Sequence, residues 1–121
     1  MNIQHIVKRL TYNTVLDGLY LYGSQATGHT HSTSDIDLGL LFKDHAKDTI
    51  SAQVRIDELK TELEKHTKTP IDLVDIEYAP LPLQYAIIQG QTLLQSNLTR
   101  LHHIENSILN RMELDYYDPH T

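Results

Sequence analysis

The sequence predicts an α/β fold of the α+β type: a small mixed β-sheet flanked by helices and closed by one long C-terminal helix. Three observations carry that expectation. Short apolar runs of strand length, at 19–22, 36–42 and 71–76, alternate with longer stretches whose apolar residues recur at helical spacing. Turn-forming residues, Gly23, Pro70, Pro80, Pro82 and Gly90, stand at the borders of these runs. Two of the apolar runs are interrupted by aspartates, a residue that a purely structural sheet face does not call for.

In chain order, Ile3, Ile6, Val7 and Leu10 predict an amphipathic packing helix near 2–13. Leu19 to Tyr22 form a strand that ends at Gly23, and Ser24 opens a helical turn behind it. In the next strand, side-chain alternation puts Asp35, Asp37, Gly39 and Leu41 on one face and Ile36, Leu38, Leu40 and Phe42 on the other. Asp48 caps a helix with the stripe Ala52, Ile56, Leu59 and Leu63. Its other residues Arg55, Asp57, Glu58, Lys60, Glu62 and Glu64 are expected to face water, and it ends near Lys65 and His66.

Pro70 introduces a third strand with Asp72, Val74 and Ile76 on one face, while Asp75 alternates to the opposite face and is expected in solvent. Pro80 and Pro82 start a short helix through Leu83, Ala86, Ile87 and Ile88, which Gly90 is expected to end in the left-handed conformation. Gln91 to Gln95 read as a short edge strand. Asn97 then caps a helix of about 20 residues, roughly 30 Å long, with the stripe Leu98, Leu101, Ile104 or Glu105, Ile108, Met112 and Tyr116. That stripe either folds back on its own sheet or leaves part of itself for a partner.

Composition sets the outer limits. With 121 residues and 40% hydrophobic content, one compact domain over 1–121 is expected. The absence of cysteine excludes disulfides and thiolate metal sites. A net charge of −6, from 10 basic residues scattered among 16 acidic ones, argues against nucleic acid as a partner. No apolar run reaches membrane-spanning length and the N-terminus lacks a signal peptide's apolar segment, so a soluble, cytoplasmic chain outside the membrane is expected. His29 and His31, and likewise His102 and His103, fall short of the four converging ligands of a structural zinc site.

The chemistry concentrates in Gly23-Ser24 and Asp35-Ile36-Asp37. Asp-x-Asp by itself is common at strand ends, and Gly-Ser by itself is a turn. Together they are sharper, because two carboxylates about 6 to 7 Å apart on one strand face repel unless a cation stands between them. A hard divalent ion such as Mg²⁺ suits them, since it takes carboxylate oxygens together with substrate phosphates. Gly23 lets backbone approach a ligand, and the turn begun by Ser24 offers N–H groups and a hydroxyl to an anion. Asp72 is a third acid able to join the pair.

These residues resemble the signature of the DNA polymerase β nucleotidyltransferase superfamily, in particular its minimal nucleotidyltransferase (MNT) branch. The likeness covers nearly the whole chain and rests on Gly23-Ser24-Gln25-Ala26-Thr27-Gly28, Ser34-Asp35-Ile36-Asp37-Leu38, and Asp72 in place of the family's third carboxylate. Thr27 departs from the usual arginine, and Lys43 and Arg55 are the cations considered as its substitutes. The resemblance implies the nucleotidyltransferase fold, with Asp35, Asp37 and Asp72 as catalytic and Mg²⁺-binding residues and Gly23, Ser24 and Gln25 as nucleotide-binding residues. It implies further a type VII-like antitoxin that transfers AMP from ATP to a tyrosine hydroxyl of a cognate HEPN-domain ribonuclease toxin, with which it forms a hetero-oligomer. The other reading is a catalytically weak or inactive antitoxin of the same fold that neutralises its toxin by binding alone.

Overall fold

The structure, a computed structural model, describes residues 3–23 and 35–116, with the side chains of 115 and 116 left aside. The expected N-terminal stripe folds as α1 (Ile3–Asn13), and the Thr14 N–H donates to the Leu10 carbonyl as the chain turns into β1 (Leu16–Tyr22). β2 (Ile36–Phe42) is followed by α2 (Thr49–Glu64), which carries the chain over to β3 (Ile71–Asp75). A 3₁₀ turn (Ile76–Tyr78), α3 (Leu81–Ile88), β4 (Gln91–Gln95) and α4 (Leu98–Tyr116) complete the described chain. The sheet order is β3-β2-β1-β4, with β1 antiparallel to both of its neighbours and β2 parallel to β3.

Both faces of the sheet are covered, and the alternation in β2 decides which residue meets which layer. Ile36, Leu38, Leu40 and Phe42 join Leu19, Leu21, Ile71 and Leu73 under α1 and α2, where Ile6, Leu10, Ile56, Leu59 and Leu63 are buried. Leu41, Tyr20 and Tyr22 point the other way and pack with Ile76, Ile87, Leu101 and Ile108 under α3 and α4. Each fully buried side chain of this size contributes about 1.5–3 kcal/mol by leaving water. The last helix is capped as the sequence predicts, the Arg100 N–H donating to Asn97 Oδ1 (3.1 Å). It folds back on its own sheet: the Tyr20 hydroxyl donates to Glu105 Oε2 at 3.2 Å, while Leu98, Leu109 and Leu114 stay exposed.

Three expectations are corrected. Asp75 does alternate away from Asp72, but α2 covers that face, so Asp75 is 5% exposed rather than solvated. Its Oδ2 lies 3.3 Å from Arg55 Nη2, and its Oδ1 accepts from the Glu77 N–H (3.1 Å), which starts the 3₁₀ turn and ends β3 one residue before Ile76. Arg55 accordingly does not face water. Its guanidinium lies 3.6 Å from the centre of the Phe42 ring and also donates to the Asp44 carbonyl (2.9 Å). Gly90 is not left-handed, since Gly23 alone among the described residues has positive φ. A side chain at Gly90 would instead run into the Leu21 carbonyl, so glycine serves there for close backbone approach.

β1 also begins at Leu16, ahead of its apolar run, because Asp17 is tolerated inside it. Asp17 is 6% exposed and its Oδ2 is held 2.8 Å from Arg100 Nη1, whose neighbour Nη2 lies 3.0 Å from Glu77 Oε1.

Gly39 lies on the Asp37 face, where an added Cβ would stand 2.5 Å from Ile87 Cγ2. Gly39→Val is expected to cost about 1–3 kcal/mol by overpacking, and to lower the thermal midpoint by roughly 4–8 °C per kcal/mol. An unchanged melting curve would mean that α3 does not pack on this face as described.

Candidate active site

Asp37 is the centre of the site. Pairing places it between Tyr22 of β1 and Asp72 of β3, directly opposite each in register. The first pairing follows from the short-range antiparallel return of β2 along β1. The second requires β3 to arrive parallel after the α2 crossover, and Pro70 fixes its start by accepting the Ile36 N–H (2.9 Å). Asp35 lies just before β2, exposed at the edge of the sheet.

Gly23 closes the other side of Asp37. Its φ is +75°, the left-handed region that glycine enters without strain, and a Cβ there would stand 2.5 Å from Asp37 Oδ2. The missing side chain therefore keeps one carboxylate oxygen uncovered. Ser24 and Gln25, and Thr27 with them, lie outside the described residues.

The electrostatics are those of acids gathered close together. Burial raises the Asp37 carboxyl above its ordinary range, and the charges of Asp72 and Asp35 raise it further. The Tyr22 phenol is pushed up to about 12 by burial, then by Asp37 and Asp72. Among the described residues no Lys, Arg or His forms an ion pair with Asp35, Asp37 or Asp72. Sequence reasoning missed Tyr22 as a neighbour of the acids, although its place next to Gly23 on the Asp37 face was a readable signal.

The structure thus brings Asp37 and Asp72 together, with Asp35 near enough for its charge to act on Asp37. Among the described residues no three acids or histidines converge as a complete ion cage. The donor set nevertheless fits a hard divalent ion: it is all carboxylate, it is uncompensated, and one Asp37 oxygen faces a cradle that a Cβ would fill. Neither cation considered for the place of Thr27 is positioned for it. Arg55 is engaged with Asp75 and Phe42, and Lys43 follows the far end of β2, six residues or roughly 20 Å along the strand from Asp37.

Residues 4–99 match the family model described as polymerase beta, nucleotidyltransferase. The chain belongs to this nucleotidyltransferase family. It is 36% identical over 95 residues to the protein adenylyltransferase MntA of Shewanella oneidensis, a match covering 77% of this chain and 65% of that protein's length. The crystal structure of a toxin–antitoxin with AMP-PNP has TM-score 0.72 and 25% identity over 93% of this chain and 88% of its own. A mutant of the MntA toxin–antitoxin complex gives TM-score 0.74 and 27% identity over 93% and 87%. At 23% identity, TM-score 0.63 and coverage of 91% and 82%, the MNT antitoxin structure with a tri-AMPylated Shewanella oneidensis HEPN toxin shares the fold. The mixed sheet, the flanking helices and the long last helix are therefore the nucleotidyltransferase fold, as the sequence predicts.

One pH dependence follows from the unpaired acids. A carboxyl raised in the folded state favours folding while protonated; that contribution is present below its unfolded pKa and is lost as pH rises through the folded one. At neutral pH the ion-free protein carries the cost of an ionised Asp37. Asp37→Asn is expected to melt higher than the parent at neutral pH in chelator, with the gap closing as pH falls into the acid range and Asp37, its carboxyl raised by burial, takes up its proton. Thermal melts across that interval measure it, and a variant that melts lower at neutral pH would show Asp37 to be a stabilising charge.

Proposed function

We propose that the chain is an antitoxin that transfers AMP from ATP to a tyrosine hydroxyl of a cognate HEPN-domain toxin, with Mg²⁺ as cofactor. The observation that carries this reading is Asp37 set against Asp72 beside the bare Gly23 backbone, with no cationic side chain paired to either acid among the described residues. Family membership and the relationship to the adenylyltransferase MntA support the reaction class. The likeness to a toxin–antitoxin with AMP-PNP supports an adenine nucleotide as donor and a toxin as partner. The cytoplasm is the proposed place of action; no helix among the described residues is long and apolar enough to cross a membrane.

Adenylyl transfer forms a bond from the acceptor oxygen to the α-phosphorus and breaks the bond from that phosphorus to the departing pyrophosphate. The chain's task is to align these groups and to receive one proton. Gly23, Ser24 and Gln25 would hold the β- and γ-phosphates through backbone N–H groups and the Ser24 hydroxyl. Asp35, Asp37 and Asp72 would hold the divalent ion, which supplies charge neutralisation at the phosphates when bound. Asp72, exposed at the start of β3, stands where an incoming hydroxyl has access and would take its proton. The buried Tyr22 phenol stays protonated near neutral pH, so it adds no further negative charge where the triphosphate has to lie.

Three outcomes test the proposal. ATP with Mg²⁺ is expected to raise the thermal midpoint, by linkage of binding to folding, and Asp37→Asn is expected to abolish that rise. No shift at millimolar ligand would remove the nucleotide site. With the partner protein, ATP and Mg²⁺, intact-mass spectrometry is expected to find one adenylyl group per modified tyrosine. A partner that is inhibited yet unmodified, and inhibited equally by an Asp35→Asn, Asp37→Asn double variant, would establish the binding-only reading. Thr27→Arg is expected to tighten ATP binding about tenfold, since a guanidinium matches phosphate oxygens in pairs; calorimetry reads it.

A further inference from the structure

A crevice of about 530 Å³ runs along α1 and is lined by His5, Lys8, Arg9, Tyr12 and, from the chain just beyond α2, His66. Its charge is opposite to that of the molecule. The first acid in the sequence is Asp17, so α1 contributes Lys8 and Arg9 with no Asp or Glu, in a chain whose net charge is −6. Among the described residues neither Lys8 nor Arg9 forms an ion pair. Tyr12 is 85% exposed beside them.

The crevice also leads toward the carboxylates. Past His66, the linking residues line a second hollow that holds Lys68 and Lys65, the latter paired with Glu62 at 3.3 Å, together with Glu64. The same link ends at Pro70, which accepts the Ile36 N–H next to Asp35 and lies two residues before Asp72.

We infer that this groove docks an acidic polypeptide segment of the protein that receives the adenylyl group, holding it beside the carboxylate end of the sheet. The inference rests on the adenylyltransferase reading and names how its acceptor is recognised. Lys8 and Arg9 match side-chain carboxylates, and Tyr12 offers a flat apolar contact at low entropic cost. α1 is about 16 Å long, which suits roughly five extended residues carrying two or three acids. A nucleic-acid strand fits less well, because the chain as a whole carries a net charge of −6, which opposes a continuous run of phosphates.

The test uses fluorescein-labelled peptides without ATP: a tyrosine flanked by glutamates on both sides, and the same peptide flanked by lysines. Anisotropy at low salt is expected to show binding of the glutamate peptide alone, weakened at least tenfold in a Lys8→Glu, Arg9→Glu double variant whose circular dichroism and ATP–Mg²⁺ thermal shift match the parent. Equal binding by the double variant, equal binding of the lysine peptide, or stronger binding of a labelled oligouridylate would overturn the inference. If the glutamate peptide binds through Lys8 and Arg9 while no adenylyl group is ever transferred, the groove stands and the adenylyltransferase reading falls.

Discussion

The register between β2 and β3 is the constraint on which the site depends. It sets Asp37 opposite Asp72, and at strand spacing two such charges repel by roughly 1–3 kcal/mol, the lower figure for full exposure to water. One residue of slip would turn Asp72 to the other face and put an aliphatic side chain under α3 in its place. The fold resists that slip because Ile71 and Leu73 are locked into the layer under α1 and α2. Hydrophobic burial on one face thus fixes an electrostatic strain on the other.

The two ends of the sheet show how the same residue type takes opposite roles. At the far end, Asp17, Asp75 and Glu77 are all enclosed, and each is answered by Arg100, Arg55 or His45. Those contacts tie the segment after β2 to the rest of the sheet, with the His45 and Tyr78 rings stacked 5.2 Å apart above it. At the near end the acids have no such partners among the described residues, and glycine replaces bulk where the chain approaches them. Compensation marks the first group as structural, and its lack among the described residues makes the second the candidate for binding.

Most of the architecture was legible because its signals are local. The stripes of α1, α2 and α4, the capping by Asp48 and Asn97, and the alternation in β2 are all read within a few residues of one another. Asp35, Asp37 and Asp72 were readable as site candidates for the same reason, each an acid set into or against an apolar strand. What escaped was set by distant partners. Asp75 and Arg55 look solvent-facing in isolation and become half of a buried pair only once α2 lies over β3. Gly90 carries a helix-ending signature, yet its reason for being glycine is the Leu21 backbone, 69 positions away in sequence. The Tyr22 phenol is raised first by burial, then by Asp37 and Asp72, acids brought beside it only by the sheet.

The order β3-β2-β1-β4 has a further consequence for how the protein comes into being. β1 and β2 are consecutive, but β3 can join only after the 16-residue α2 has closed its crossover, and β4 must return from beyond α3 to pair with β1. Such long-range closures raise contact order and slow the search for the native chain arrangement. During synthesis the acidic pair cannot assemble until β3 has been made, and its covering layer waits for α4, the last element described. The pairing of Asp37 with Asp72 is therefore completed late, and a nascent chain that has not yet made β3 lacks it.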